Sequence, residues 1–302
     1  MKLRAILNRG GGSAMPGVEE RLRARFADAG ADAEIRVETP ESLAEAFRQA
    51  AAAEGLDAVV AGGGDGTIGT AAAALAGTGR PLGIVPLGTL NHFARDAGIP
   101  LDLEGAVATI VDGAARPVDL AEVNGRVFVN NSAVGLYPRM VREREDQQHR
   151  LGRGKRLAML VAGARVLWRF SHRRLTLRIG GFEAPVATPL LFVGNNRYEM
   201  GLLSLGRREA IDRGELCLYA PLARSRAQFV HVALRAVLGR ADRQEDFLSI
   251  SGIGEIEVES RHRYLTVSTD GEAVRMETPL RYRSRPGELR LIVPREAERP
   301  AG

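Results

Sequence analysis

The stretch Ala58-Val59-Val60-Ala61-Gly62-Gly63-Gly64-Asp65-Gly66-Thr67 decides the fold class of this chain. Its apolar start predicts a buried strand, and a run of glycines with one acid then leads into a helix at about 67–75. Glycine lets the backbone turn tightly and approach a phosphate, and the first amides of a helix attract anions. The stretch therefore predicts a βα unit with an anion-binding loop, although a plain tight turn with a capping Asp65 has the same texture.

Strands and helices alternate on both sides of this stretch, through about residue 115. Thr39 and Pro40 are expected to open the second helix, with Thr39 as its N-cap and Pro40 in its first turn. Strands that alternate with helices predict a parallel α/β sheet. The predicted strands lie at about 3–8, 33–38, 57–61 and 82–85, and the helices at about 18–29, 39–55, 67–75 and 89–96.

Short β-like runs dominate the chain after about residue 116, interrupted by two helical stretches at about 153–170 and 225–238. We therefore predict an α/β domain over residues 1–118 and a second, mostly antiparallel β domain over residues 119–302. The runs lie at about 117–123, 126–131, 175–179, 188–193, 215–219, 254–259, 264–269 and 288–293.

Composition excludes several classes of protein. The 302 residues are 45% hydrophobic and 26% charged, as expected of one large or two ordinary globular domains. The single cysteine, Cys217, excludes an internal disulfide and fits a reducing compartment. The first residues indicate a strand rather than a signal peptide, and no apolar run reaches 18 residues, so a cytoplasmic protein without a membrane-spanning helix is expected.

Two more glycine-bearing loops follow predicted strands, at 8–12 (NRGGG) and 85–95 (VPLGTLNHFAR). An open α/β sheet binds its ligand at the carboxyl ends of its strands, and three such loops suit a nucleotide polyphosphate better than a single anion. The acid in the loop, Asp65, suits a magnesium ion or a catalytic base. Gly64-x-Gly66-x-x-Gly69 also matches the dinucleotide fingerprint, but it lies in the third βα unit and no acid ends the next strand.

Three motifs, GGGDGT at 62–67, PLGTLNHFAR at 86–95 and TDGE at 269–272, occur in this order. Together they resemble the diacylglycerol kinase catalytic-domain family, the soluble lipid kinases that include diacylglycerol, phosphatidylglycerol, sphingosine and ceramide kinases. The resemblance covers essentially the whole chain. It implies an ATP-binding domain like that of NAD kinases and phosphofructokinases over residues 1–118. It also implies a β-sandwich that binds the lipid and carries the DGE motif over 119–302, with the active site between them.

The resemblance also implies roles for individual residues. Glu272 of the DGE motif matches the proton acceptor of the bacterial branch, whereas the sphingolipid branch gives that role to the loop acid, here Asp65, and both stay candidates. ATP and Mg²⁺ are the implied cofactors. The residues that match nucleotide contacts are Asn8, Thr39, Gly63, Gly64, Asp65, Gly66, Thr67 and Thr89.

Three departures from the family pattern stand out. Arg9 replaces the usual proline after Asn8, and His92 replaces an aspartate, where we expect it to cap or pack rather than to meet phosphate. Arg213 stands where bacterial members often have an aspartate that binds a structural magnesium. Arginine cannot bind a cation, so the metal ligands are left unassigned.

A basic segment marks the expected partner. Residues 139–178 carry 12 basic side chains against three acids. Within it, 153–170 predicts an amphipathic helix with Arg165 and Arg169 away from its apolar face. Such a helix either meets an anionic membrane surface or packs on the sandwich with a solvated arginine face. Aromatics at 5% and the lack of a recognisable module argue against nucleic acid.

We therefore expect an ATP-dependent lipid kinase, peripherally attached to the inner face of an anionic membrane where its lipid substrate lies. The oligomeric state is left open, with a homodimer among the options. A soluble kinase of the NAD-kinase type is one rival, against which the DGE motif argues. A nucleotide-binding membrane-surface protein without activity is the other, prompted by Arg213. The acceptor itself is not readable: diacylglycerol, phosphatidylglycerol, a sphingoid base and a polyprenol all fit.

Overall fold

The computed structural model describes residues 1–10, 17–135, 173–198, 208–222 and 247–295, together with 225, 227–229 and 231. The chain forms two compact units. Unit 1 comprises residues 1–120, 210–213 and the chain from 285 onward, and unit 2 comprises residues 121–209 and 214–284. The two later segments of unit 1 fall within the predicted range 119–302.

A parallel sheet forms the centre of unit 1, with the strand order β2-β1-β3-β4 followed by the last part of β16. The register aligns Ala5 with Ile35 on one side and with Val60 on the other, and Arg290 of β16 with Pro81. The parallel α/β sheet is therefore confirmed. The bounds are β1 Lys2–Asn8, β2 Asp32–Glu38, β3 Ala58–Gly63, β4 Pro81–Pro86, β5 Ala114–Val123 and β16 Leu280–Val293.

Five helices accompany the described strands of unit 1. The prediction that Thr39 caps the second helix is wrong: that helix begins at Leu43, because the Thr39 carbonyl accepts the amides of both Ser42 and Leu43 in a preceding turn. The last helix was not predicted, although Asp102 caps it by accepting the Gly105 amide at 2.8 Å. The bounds are α1 Val18–Asp28, α2 Leu43–Ala52, α3 Asp65–Leu75, α4 His92–Asp96 and α5 Leu103–Asp112.

The core of unit 1 lies between its helices and its sheet. Leu22 and Phe26, one turn apart on α1, are completely buried and pack in one cluster with Leu3, Ala5 and Val60 of the sheet. Burying a side chain of this size contributes about 1.5–3 kcal/mol. This packing holds the carboxyl ends of the strands in place, and the glycine loops start there.

Unit 2 is built from two antiparallel sheets around one core. One has the order β12-β11-β10-β7-β14-β15, and the other joins β9, β8, β13 and the first part of β16. Buried residues of both sheets form a single cluster, so the predicted mostly antiparallel sandwich is confirmed. The bounds are β6 Arg126–Phe128, β7 Asn131–Gly135, β8 Arg173–Ile179, β9 Phe182–Thr188, β10 Leu190–Asn195, β11 Leu216–Pro221, β12 Phe247–Ile253, β13 Glu255–Ser260, β14 Tyr264–Thr269 and β15 Glu272–Glu277.

Some predictions for the second half differ from the structure. Strands β9, β12 and β15 were not predicted, and the run at 126–131 is divided between β6 and β7. The predicted helix at 153–170 lies outside the described residues, as does most of the one at 225–238. No helix within the described ranges is both long and apolar enough to cross a bilayer.

Candidate functional site

The end of β1 and the start of α3 meet at the point where the strand order of unit 1 reverses. From β1 the chain passes to β2 on one side and then to β3 on the other. A side-chain hydrogen bond joins these two elements there: Asn8 Nδ2 donates to Thr67 Oγ1 at 2.9 Å. In open α/β sheets, ligands bind outside the carboxyl ends of the strands at this switch point.

The loops after β3 and β4 are in direct backbone contact. A Cβ added at Gly88 would lie 2.5 Å from the Gly64 Cα, and the Leu87 amide donates to the Gly63 carbonyl at 2.9 Å. The buried Asn91 holds the second loop, because its side chain exchanges two hydrogen bonds with Gly88, at 3.0 and 2.9 Å. Only glycine allows this approach, so the surface of this edge is formed largely by backbone.

Asp65 is the first residue of α3 and is half-buried. Its Oδ1 accepts the Phe93 amide at 3.2 Å. The carboxylate therefore caps the start of α4 rather than its own helix, and this bond fixes its orientation. His92 is the first residue of α4 and is half-buried. The amide of the next residue, Phe93, is the one that Asp65 accepts.

The other residues predicted to contact the nucleotide lie at the same edge of the sheet but differ in how far they are exposed. The Thr67 hydroxyl is buried against Asn8, so only its backbone amide is suited to a ligand. Gly66 and Thr89 are exposed. Thr39 is exposed in the turn before α2, which approaches the first loop, since a Cβ at Gly10 would lie 3.0 Å from the Pro40 Cγ.

The DGE motif forms a tight turn in unit 2. Asp270 and Gly271 join β14 to β15 with φ values of 48° and 86°, as in the two-residue hairpin turns that favour Asp-Gly. The Asp270 carboxylate accepts the amides of Val129, Asn130 and Asn131 at 2.8, 2.8 and 3.2 Å. Asp270 thus ties the turn to the segment 129–131, which leads from β6 into β7.

Charge and burial compete at Asp270. Burial raises the pKa of this carboxyl to about 6, although the three amides and the nearby Arg208 guanidinium lower it. Arg208 is itself buried and donates to the Val129 carbonyl at 2.7 Å and to Asn130 Oδ1 at 3.3 Å. The segment 129–131 is therefore held through its amides by Asp270 and through its oxygens by Arg208.

Glu272 is the first residue of β15, and its side chain is 58% exposed. Arg126 on β6 donates from Nη2 to Glu272 Oε2 at 2.6 Å and from Nε to Thr269 Oγ1 at 2.8 Å. Neither Arg126 nor Arg208 was predicted as a site residue. The run predicted at 126–131 already placed Arg126 at the start of a strand, but nothing in the sequence placed it opposite Glu272.

Comparison with known proteins decides the family. The family model described as "Diacylglycerol kinase catalytic domain" matches residues 2–123. The Pseudomonas aeruginosa protein named "Probable lipid kinase YegS-like" is 34% identical over 288 residues, covering 91% of this chain and 90% of that protein. The chain belongs to the diacylglycerol kinase catalytic-domain family. The resemblance stated from the motifs is confirmed.

Two further relatives match nearly the whole chain. A protein of the same name from Pseudomonas fluorescens is 31% identical over 285 residues, covering 93% of this chain and 91% of that protein. A diacylglycerol kinase structure from Bacillus anthracis superimposes with a TM-score of 0.71 at 20% identity, covering 97% of this chain and 96% of that one. The second comparison confirms the fold class.

Membership of this lipid kinase family implies the use of ATP, and the first loops of unit 1 fit its phosphates. The opening amides of α3 point out of the helix start without intrahelical partners, as phosphate sites require. Among the described residues, no three His, Cys, Asp or Glu side chains cluster as a metal site. Magnesium bound with a nucleotide uses one or two carboxylates besides phosphate and water. A single carboxylate, such as that of Asp65, is therefore enough for this role.

Two predictions about charge stay untested by these contacts. Arg213, the departure from the family pattern that led us to leave the metal ligands unassigned, is exposed in the turn before β11. The basic helix with Arg165 and Arg169 lies outside the described residues.

Proposed function

We propose that the protein is an ATP-dependent lipid kinase that transfers the γ-phosphate of ATP to a lipid hydroxyl. Family membership supports this proposal. The observation that carries it is the backbone contact between Gly88 and Gly64 at the carboxyl ends of β3 and β4, next to the switch point of the unit 1 sheet. That contact leaves amides rather than side chains to face a polyphosphate.

In this proposal, unit 1 binds and orients the nucleotide. The amides of Gly66 and Thr67 at the start of α3 hold phosphate oxygens, and the bond between Asn8 and Thr67 keeps the first two loops in register. Asp65, oriented by the Phe93 amide, is the side chain that would hold magnesium. Bound magnesium would neutralise charge on the β- and γ-phosphates.

Glu272 is the proposed base. Its exposed carboxylate takes the proton of the lipid hydroxyl as that oxygen forms its bond to the γ-phosphorus and the bond to the bridging β–γ oxygen breaks, releasing ADP. Asp65 is less suited to this role, because its orientation is fixed by a backbone amide of unit 1 and suits a nucleotide-bound cation.

Diacylglycerol is the first acceptor to test, followed by phosphatidylglycerol, a sphingoid base and a polyprenol. γ-Labelled ATP incubated with lipid micelles or with NAD separates the classes. We expect label in the organic phase when lipid is present, and no label in a phosphorylated form of NAD. Label in the phosphorylated dinucleotide, or ATP binding without transfer to any fraction of a total lipid extract, would overturn the proposal.

We also propose that the substrate is met at an anionic membrane surface through the basic segment. Each basic residue near such a surface contributes about 1 kcal/mol, so replacing both Arg165 and Arg169 by Gln should weaken vesicle binding about 10- to 30-fold at low salt. Sedimentation with anionic and zwitterionic vesicles measures this. Equal binding of wild type and variant would make these arginines part of the solvated scaffold.

A further inference from the structure

The turn that carries Glu272 is fixed from two directions. Thr269 and Glu272 are directly paired residues on β14 and β15, on either side of the Asp270–Gly271 turn. The Asp270 carboxylate accepts three consecutive amides of the segment 129–131, which directly follows β6. The turn and the end of β6 are therefore one connected structure.

Arg126 completes this connection on the side of Glu272. Its guanidinium spans the turn, with Nε on the hydroxyl of the buried Thr269 and Nη2 on Glu272 Oε2. Because the two acceptors lie on different strands, a planar group with fixed donors defines the position of the carboxylate more closely than a single contact would.

The other end of the same hairpin offers a direct comparison. Arg263 donates from Nε to Glu277 Oε1 at 3.0 Å, and Glu277 is 58% exposed, as is Glu272. The two arginines differ: the side chain of Arg263 is 74% exposed and that of Arg126 only 39%. Two glutamates of equal exposure on one strand are therefore held by arginines of unequal burial.

We propose that Arg126 is a positioning residue for phosphoryl transfer, which acts by holding the Glu272 carboxylate in the orientation that a base requires. This inference rests on the proposed role of Glu272. A base must first lie within hydrogen-bond reach of its proton, so an exposed carboxylate without a fixed orientation is a poor base. The bond to the buried Thr269 anchors the guanidinium that fixes it.

The test measures kcat and the KM for ATP of Arg126→Ala, with Arg263→Ala as the matched control. A small misplacement of a catalytic group costs up to about 100-fold in rate, so Arg126→Ala should lower kcat about 10- to 100-fold with an unchanged KM for ATP. Arg263→Ala should match wild type. The melting temperature should fall little for Arg263→Ala and somewhat more for Arg126→Ala, which also loses the bond to the buried Thr269. Arg126→Lys, which keeps the charge but not the planar fork, should recover part of the rate and serves if Arg126→Ala does not fold.

A double-variant cycle distinguishes positioning from an independent role. If Arg126 acts through Glu272, adding Arg126→Ala to Glu272→Gln should cause little further loss in kcat. Losses that multiply, a raised KM with unchanged kcat, or equal rates for Arg126→Ala and Arg263→Ala would each overturn the inference alone. Wild-type turnover by Glu272→Gln, or no transfer by wild type, would instead overturn the proposed function and the inference with it.

Discussion

The glycine loops of unit 1 and the DGE turn of unit 2 are built in opposite ways. In the first region, backbone lies against backbone at Gly64 and Gly88, and the polar side chains of Asn8 and Thr67 form a hydrogen bond with each other. In the second region, side chains define the structure. Asp270 accepts hydrogen bonds from three backbone amides, and Arg126 donates to both Thr269 and Glu272.

This difference indicates how each region would fail. A site formed by backbone is damaged by adding atoms, because a Cβ has no room. A site formed by side chains is damaged by removing charge or a hydrogen-bond partner. The first construction suits the binding of a polyphosphate, which needs many amides, and the second suits the handling of one proton.

Asp65 is the exception within the first region, and its substitution has the largest expected effect there. Asp65→Asn keeps an oxygen that can accept the Phe93 amide but removes the charge that would hold magnesium. We expect transfer to fall by at least about 100-fold while the melting temperature changes little. Turnover assays with thermal melting check this, and near-wild-type turnover would remove Asp65 from the mechanism.

Gly88→Ala tests the claim that the first region is backbone. Its Cβ would lie 2.5 Å from the Gly64 Cα and 2.6 Å from Asn91 Oδ1, and overpacking of this kind costs about 1–3 kcal/mol. The KM for ATP should rise about 10- to 100-fold. Gly64→Ala should raise the KM less, because its Cβ would lie 3.3 Å from the Gly88 Cα. Gly254→Ala, whose Cβ would meet no atom within 4 Å, should leave the KM unchanged. Three equal ATP titrations would contradict the close approach.

Asp270 offers a test of the second region through pH. Its pKa rises from 3.8 in the unfolded chain to about 6 in the fold, so between these values the folded state holds more protons. Its contribution to the free energy of unfolding is thus fully present below about pH 4 and is lost as the pH rises through about 6, by up to about 3 kcal/mol.

The destabilisation caused by Asp270→Asn should accordingly be smaller at about pH 7 than at about pH 4.5, because only the wild type loses this contribution as the pH rises. Urea unfolding at both pH values measures it. A penalty that grows with pH would mean that the three amides outweigh burial.

Asn8→Ala has the smallest expected effect. It removes the bond to Thr67 Oγ1 and the one that Asn8 Oδ1 accepts from the Gly10 amide at 2.9 Å. A typical hydrogen bond contributes about 0.5–1.5 kcal/mol, so ATP affinity should fall only a few-fold. Calorimetric titration with ATP would show it, and unchanged affinity would mean that the first two loops keep their register without Asn8.

The same contrast explains how much could be predicted from the sequence. Strands β1 to β4 were placed within a residue or two. The apolar runs of β1, β3 and β4 are buried, β2 shows alternation instead, and glycine or proline signals lie close to the strand ends. The start of α2 was missed, since a turn at Pro40 intervenes before Leu43. Strand β9 was missed because most of its residues are exposed, so its sequence lacks the alternation that predicts a strand.

The two candidate regions differ in the same respect. Glycine loops are visible in sequence because the residue type itself reports the close approach. The partners of Glu272 are not, because Arg126 lies 146 residues earlier and meets it only through the register of the strands. Side-chain networks of this kind need the tertiary structure, whereas motifs alone were enough to identify the family.

The most direct measurement is ATP binding and single-turnover transfer of γ-label to lipid, made side by side on wild type and Glu272→Gln. ATP binding is assigned to the first region and proton handling to the second. We therefore expect wild-type ATP affinity in the variant and a transfer rate lower by about 10²- to 10⁴-fold. Loss of ATP affinity with an unchanged transfer rate at saturating ATP would contradict it, because Glu272 would then be a nucleotide ligand and the base would lie elsewhere.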